Sequence, residues 1–153
     1  MRSRLLTDHH GTRSFAVALE TGEKLMESVV GFAAEHNLAA SEFSAIGAMA
    51  WAKLAFFVWE TKDYVDIPVD EQVEIASLTG RITRPEGGPG VEGDPHLHVH
   101  CILSRRDGSV VAGHLVEAEV RPIAEIFIVD SPTELHRRTD AESTLPHLRP
   151  DLE

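Results

Sequence analysis

Three histidines alternate with apolar residues in the segment Pro95-His96-Leu97-His98-Val99-His100-Cys101. Successive side chains of a β-strand point to opposite faces. In an extended chain His96, His98 and His100 therefore share one face, and Leu97, Val99, Cys101 and Leu103 share the other. Neighbours on one face lie about 6.5–7 Å apart, so two imidazoles can chelate one ion with nitrogen–zinc distances of roughly 2.0–2.1 Å. A third ligand must come from elsewhere, and His114 is the candidate. A three-residue loop Arg106-Asp107-Gly108 would be a type I turn closed by glycine in the left-handed conformation, a common hairpin solution. That loop pairs Arg105 with Ser109 and, counting inward, His100 with His114. A two-residue loop at Asp107-Gly108 would slip the register by one and turn His114 to the opposite face. A site built from His98, His100 and His114 thus requires the longer loop, and Gly113 beside His114 leaves room for close approach.

Three neutral imidazoles without a thiolate point to zinc first; imidazole also suits copper, nickel and iron. Such a set leaves a fourth position open for water or a ligand. Glu125 and Glu117 are candidates for acid/base or supporting groups around the ion, and His96 for a further imidazole or a solvent-facing residue. Cys101 falls on the apolar face and is read as packing. The competing reading is that the histidines are packed or solvated and bind nothing.

The elements that must carry these residues are mostly strands. Ser14 to Glu20 reads as the first strand, and Thr21 can cap a helix running to about His36. Leu25, Met26, Val29, Val30, Phe32 and Ala33 recur at helical spacing and make one buried stripe, and Asn37 suits the left-handed residue that ends a helix. Strand signals follow over Glu42–Met49, Trp51–Glu60, Lys62–Val69, Val73–Thr83, His96–Leu103, Ser109–Val116 and Ile123–Val129. Gly47 marks a bulge or close approach. The stretch WAKLAFFVWE is apolar on both faces, which predicts burial on both sides, by the core or by a partner subunit. The Gly/Pro-rich run Arg84–Pro95 can be neither helix nor strand. The fold class is α+β: a mainly antiparallel twisted sheet of about seven strands with one principal helix.

The 153 residues suit one domain, with an N-terminal segment at 1–13, the domain at 14–130 and a C-terminal tail at 131–153. Punctuated by Pro132, Pro146 and Pro150, the tail reads as loosely packed, laid on a neighbouring subunit. No apolar run approaches the roughly 18 residues that cross a membrane, and the start MRSRLLTDHHG is too polar for a signal peptide. One cysteine allows no internal disulfide, which fits the cytoplasm. The net charge of −11, from 25 acids and 14 bases, opposes binding to phosphate backbones.

Five short motifs in order resemble the PPC (plants and prokaryotes conserved) domain family: Gly22-Glu23 at the helix start, Ile46-Gly47-Ala48, Ser77-Leu78-Thr79-Gly80, Pro95 to His100, and Ala112-Gly113-His114-Leu115. The resemblance runs from about Ser14 to Val129. It implies an α+β domain that assembles as a homotrimer, and it carries His98, His100 and His114 over as metal-site residues. His96 falls on a variable position of the family. Two departures are Ala112, where a second glycine is usual, and Pro122-Ile123, which stands before Ala124-Glu125 in place of a small residue and threonine. The family's DNA-binding label comes from plant members that add Arg-Gly-Arg-Pro hooks. No such hook stands here, and the basic patches RRDG and HRRTD each contain an acid. The fold is also similar to that of α-acetolactate decarboxylase, a three-histidine zinc enzyme. Three functions follow: a homotrimeric metal-binding module for regulation, ligand sensing or DNA association; a lyase-like zinc enzyme acting on a small carbonyl or carboxylate substrate; and a structural oligomer without metal.

Overall fold

A computed structural model describes residues 1–87 and 92–152. Nine strands and one α-helix are formed among them: β1 (Arg2–His9), β2 (Thr12–Glu20), α1 (Leu25–Glu35), β3 (Ala40–Val58), β4 (Asp63–Val69), β5 (Val73–Thr83), β6 (His96–Ser104), β7 (Val110–Asp130), β8 (His136–Thr139) and β9 (Pro146–Arg149). Seven strands make one antiparallel sheet in the order β1-β2-β7-β6-β5-β3-β4. An extra pairing of β7 with β3 closes a circuit through β5 and β6. The expected α+β class with one principal helix is the class observed.

Helix α1 buries Leu25, Val29, Phe32 and Ala33 of the stripe read from the sequence, while Met26 and Val30 are half-buried. Phe32 meets Phe15 of β2 edge to face, with centroids 5.3 Å apart. Burying one such side chain is worth about 1.5–3 kcal/mol, so the stripe fixes the helix on the sheet. Asn37 takes the left-handed conformation at φ 51° and ends the helix as expected. The start differs from expectation. Thr21 does not cap the helix; its hydroxyl donates to the Pro122 carbonyl, and a bridge from Lys24 to Glu119 holds the chain against β7 until Leu25. The missing cap is supplied across the fold: a Glu117 carboxylate oxygen accepts from the Met26 amide at 3.0 Å.

Two pairs of expected strands merge. Glu42–Met49 and Trp51–Glu60 become β3, and Ser109–Val116 and Ile123–Val129 become β7. The register of β3 shifts around Gly47, where the bulge was expected, and Arg121 and Pro122 have no partner there, so the proline removes no ladder bond. WAKLAFFVWE is only half covered within the chain: Ala52, Leu54 and Ala55 are buried, whereas Phe56 and Trp59 are exposed.

The terminal segments are more integrated than the sequence suggested. β1 pairs with β2 from Arg2 to His9. The region after Ser131 is not loosely packed. Its Leu135 amide donates to the Ala39 carbonyl, the Arg84 amide donates to the Leu135 carbonyl, and β8 and β9 form a hairpin that buries His136 and Arg137. It packs on its own chain, because backbone groups at the ends of α1 and β5 are left for it to pair. Of the run Arg84–Pro95, residues 88–91 lie outside the described residues; the flanks are irregular, as expected, apart from a bridge between Glu86 and Arg137.

Candidate metal centre

The β6–β7 hairpin has the three-residue loop. The Arg105 amide donates to Ser109 O at 2.8 Å, the Gly108 amide to Arg105 O at 2.9 Å, and Gly108 stands at φ 83°. Asp107 braces the turn by accepting from the Ser109 amide at 2.9 Å. The register that follows sets His100 directly opposite His114. Along β6, Val99, Cys101 and Leu103 are buried and His98 and His100 are exposed, so the alternation holds. On its other side His114 faces Ala55 of β3. Gly113 permits that approach, since a Cβ there would lie 2.9 Å from the Ala55 carbonyl oxygen.

His98, His100 and His114 each bring a ring nitrogen within 4.8 Å of the others. The His98 and His100 Nε2 atoms are 3.1 Å apart. Tetrahedral zinc at the usual bond length sets its nitrogens roughly 3.3–3.4 Å apart, close to the His98–His100 spacing, and the His114 nitrogen lies within 4.8 Å of both. The buried Nδ1 of His114 has no hydrogen-bond partner among the described residues, a state that costs free energy unless something else engages the ring. The residues therefore fit a three-coordinate metal site with a vacant fourth direction. A bound zinc would supply Lewis acidity or an activated water there.

The surroundings of His98 and His114 favour their neutral forms. Although His98 is exposed by surface area, partial desolvation of its ring lowers its pKa to about 4, helped by the positive charge of Arg137, by His100 and His114, and by Arg81. Burial, then His100 and His96, lower that of His114. Neutral imidazole is the form that ligates, so these two side chains are ready for an ion at neutral pH. The Cys101 thiol, pushed up to about 12 by burial, is an inert packing residue, as read.

The other candidates are elsewhere. Glu117 is committed to the start of α1. Glu125 pairs with Ala18 and Ile46 on a different stretch of β7 and is exposed on the outer face of the sheet. His96 pairs with Thr83 and lines the space beside the cluster without joining it. That space is a cavity of about 650 Å³ walled by Tyr64, Arg81, His96, His98, His114 and Arg137 and roofed by Leu145, Pro146, His147 and Leu148. Arg81, Tyr64 and the tail residues were not read as site residues. The only sequence signal was the basic patch HRRTD, which nothing local tied to the histidines.

Residues 7–132 match the Plants and Prokaryotes Conserved (PCC) domain. The chain belongs to that family. No curated protein matches it. Among solved structures, a metal-containing protein from Archaeoglobus fulgidus is 31% identical with a TM-score of 0.80, over 89% of this chain and 92% of the other. A plant- and prokaryote-conserved protein from Pyrococcus horikoshii is 26% identical with a TM-score of 0.80, over 97% and 94%. A Bacteroides thetaiotaomicron protein assigned provisionally to DNA binding superposes with a TM-score of 0.83 at 24% identity, over 96% of both chains. A Staphylococcus aureus protein similar to alpha-acetolactate decarboxylase shares the fold at a TM-score of 0.55 and 15% identity, over 80% and 54%. In this PCC domain the matched segment includes all three clustered histidines and stops before β8.

Proposed function

We propose that this PCC-domain chain holds one divalent ion, zinc by first choice, through His98, His100 and His114, and works as a homotrimeric ligand-sensing or regulatory module. The observation that carries the reading is the convergence of three imidazoles from two strands, within 4.8 Å, beside a cavity rather than on a flat surface. The likeness to the metal-containing Archaeoglobus protein supports it. The homotrimer is supported by apolar side chains that the single chain leaves uncovered. Ile46, Phe127 and Val129 lie on one outer face of β3 and β7 at 61%, 56% and 44% exposure, and β1 is exposed along its whole length. Solvated patches of that kind mark interaction sites.

A role on DNA finds no support in the charge distribution. Seven of the fourteen Lys and Arg side chains pair with an acid among the described residues: Arg2, Arg13, Lys53, Arg81, Arg84, Arg105 and Arg149. Counterion release needs a face of free bases. The zinc-enzyme reading, a lyase acting on a small carbonyl or carboxylate substrate, is favoured by one observation: the cavity beside the histidines includes two arginines. No helix among the described residues is long and apolar enough to cross a membrane; a cytoplasmic location is the expectation from the single cysteine.

The test is elemental analysis after zinc reconstitution, joined to mass measurement in solution. The expected result is one ion per chain and a trimer mass. A chain that retains no ion, or that stays monomeric at micromolar concentration, overturns the corresponding half of the reading.

A further inference from the structure

We propose that the cavity over the histidine cluster binds a small carboxylate, and that Arg137 of the C-terminal hairpin recognises its charge. The proposal rests on the metal-site reading and names the class of ligand that such a site takes.

The first argument is the charge of the walls. The chain has 25 acids and a net charge of −11, yet no Asp or Glu is among the described residues that line the cavity. Two arginines and four histidines are. A divalent ion at the cluster would add to the same sign. In an acidic protein, a concave space lined by two arginines and by no carboxylate among the described residues suits an anion.

The second is the state of Arg137. It is 4% exposed, and no carboxylate among the described residues lies within ion-pair distance of it. Its Nε donates to Thr83 Oγ1 at 3.1 Å and its Nη1 to the Pro146 carbonyl at 2.9 Å. Those two bonds fix the guanidinium plane and leave Nη2 without a protein acceptor among the described residues. Glu86, whose backbone bridges to Arg137, gives its carboxylate to the Thr139 hydroxyl instead. A buried cation without a counter-charge is costly, so the arrangement is explained if a ligand supplies the charge. Arg81 stands two residues before Thr83 on β5, opposite His98, but is half exposed and shared with Glu42 at 3.4 Å. It is the weaker of the two.

Size and lining narrow the class. About 650 Å³ suits a small molecule, not a polymer. Leu145, Pro146 and Leu148 offer the ligand an apolar roof. A guanidinium fork matches a planar carboxylate. Phosphate sites are more often built from a nest of backbone amides or a helix N-terminus, and α1 is held by Glu117. Arg137 lies beyond residues 7–132, so this recognition belongs to the chain's own hairpin rather than to the matched segment.

The test is a calorimetric titration of the cobalt-reconstituted full chain with pyruvate, repeated with inorganic phosphate. The visible cobalt spectrum and the metal content are read on the same samples. Pyruvate is expected to bind and to change the cobalt spectrum. Arg137→Gln should weaken it at least tenfold at unchanged cobalt content, and Arg137→Lys should restore part of the loss. If Arg137→Gln does not fold, Leu148→Glu places an acid on the exposed roof and should weaken pyruvate as well. Wild-type affinity in folded Arg137→Gln or Leu148→Glu, no pyruvate binding to loaded protein, or tighter binding of phosphate than of pyruvate overturns the proposal. If wild type retains no cobalt, the metal reading fails by itself. Pyruvate heat that is lost in Arg137→Gln would then still uphold the anion site, and no heat would overturn it.

Discussion

Two hairpins meet at the cavity, and they differ in how their positions are determined. The β6–β7 hairpin carries its instructions locally: period-two alternation sorts His98 and His100 from Val99 and Cys101, and a glycine at the left-handed position of the loop sets His114 opposite His100. The β8–β9 hairpin carries almost none. Its four-residue strands have no long apolar alternation, and the bonds that hold it run to Ala39, Thr83 and Arg84, about fifty to a hundred residues away in the chain. The first builds the candidate ligand set; the second roofs it and contributes Arg137. Chemistry-bearing residues on a hairpin are thus legible when the turn fixes their register, and hidden when distant hydrogen bonds fix it.

The comparison breaks most sharply on the ligands. His98→Ala or His114→Ala should lose all retained metal by elemental analysis, with the far-ultraviolet dichroism unchanged because Val99, Cys101 and Leu103 still fill the core. Metal retained by either variant would show that the local code has been misread.

Gly113→Val asks whether the hairpin also depends on its neighbour. A Cβ at this position meets the Ala55 carbonyl oxygen at 2.9 Å and Leu54 Cβ at 3.4 Å, so β3 or β7 must shift. Crowding of this kind typically costs about 1–3 kcal/mol. Urea unfolding should show that loss together with weaker metal binding, and unchanged stability would mean that the close approach is not needed.

The acid response sharpens the comparison from the other side, because Arg137 of one hairpin acts on His98 of the other. The sequence alone places proton competition near pH 6.5. Burial, then Arg137, moves His98 down to about 4, and His114 moves in the same direction. Metal loss through protonation of His98 and His114 should therefore come below pH 6.5 rather than at it. The sign for stability follows: between about 4 and 6.5 the unfolded chain binds protons that folded His98 does not. Stability of the apo protein from this source is full above 6.5 and declines as pH drops toward 4. Equilibrium dialysis and urea titrations across pH 7 to 4 check both, and metal release centred at 6.5 or above would contradict them.

His96→Ala should have the smallest effect. It lies outside the cluster, and metal affinity should stay within about 0.5 kcal/mol of wild type. A larger loss would make it a ligand.

The sequence by itself determined the features that repeat over short distances. The period of two on β6, the helical stripe from Leu25 to Ala33, the left-handed Asn37 that stops it, the loop Arg106-Asp107-Gly108 and the packing of Cys101 all follow from sterics and pattern within a dozen residues. Only the tertiary structure decided that four expected strands are two, with Pro122 placed where no ladder bond is required. It also sent Glu117 to cap a helix ninety-one residues away in the chain, left Glu125 on the outer face beside Ile46, and folded the β8–β9 hairpin over the histidines. Each of these depends on a hydrogen-bond partner or a buried surface far along the chain. A carboxylate or guanidinium in sequence is the same residue whether it caps, pairs or waits for a ligand, and only the partner that the fold brings to it separates those roles.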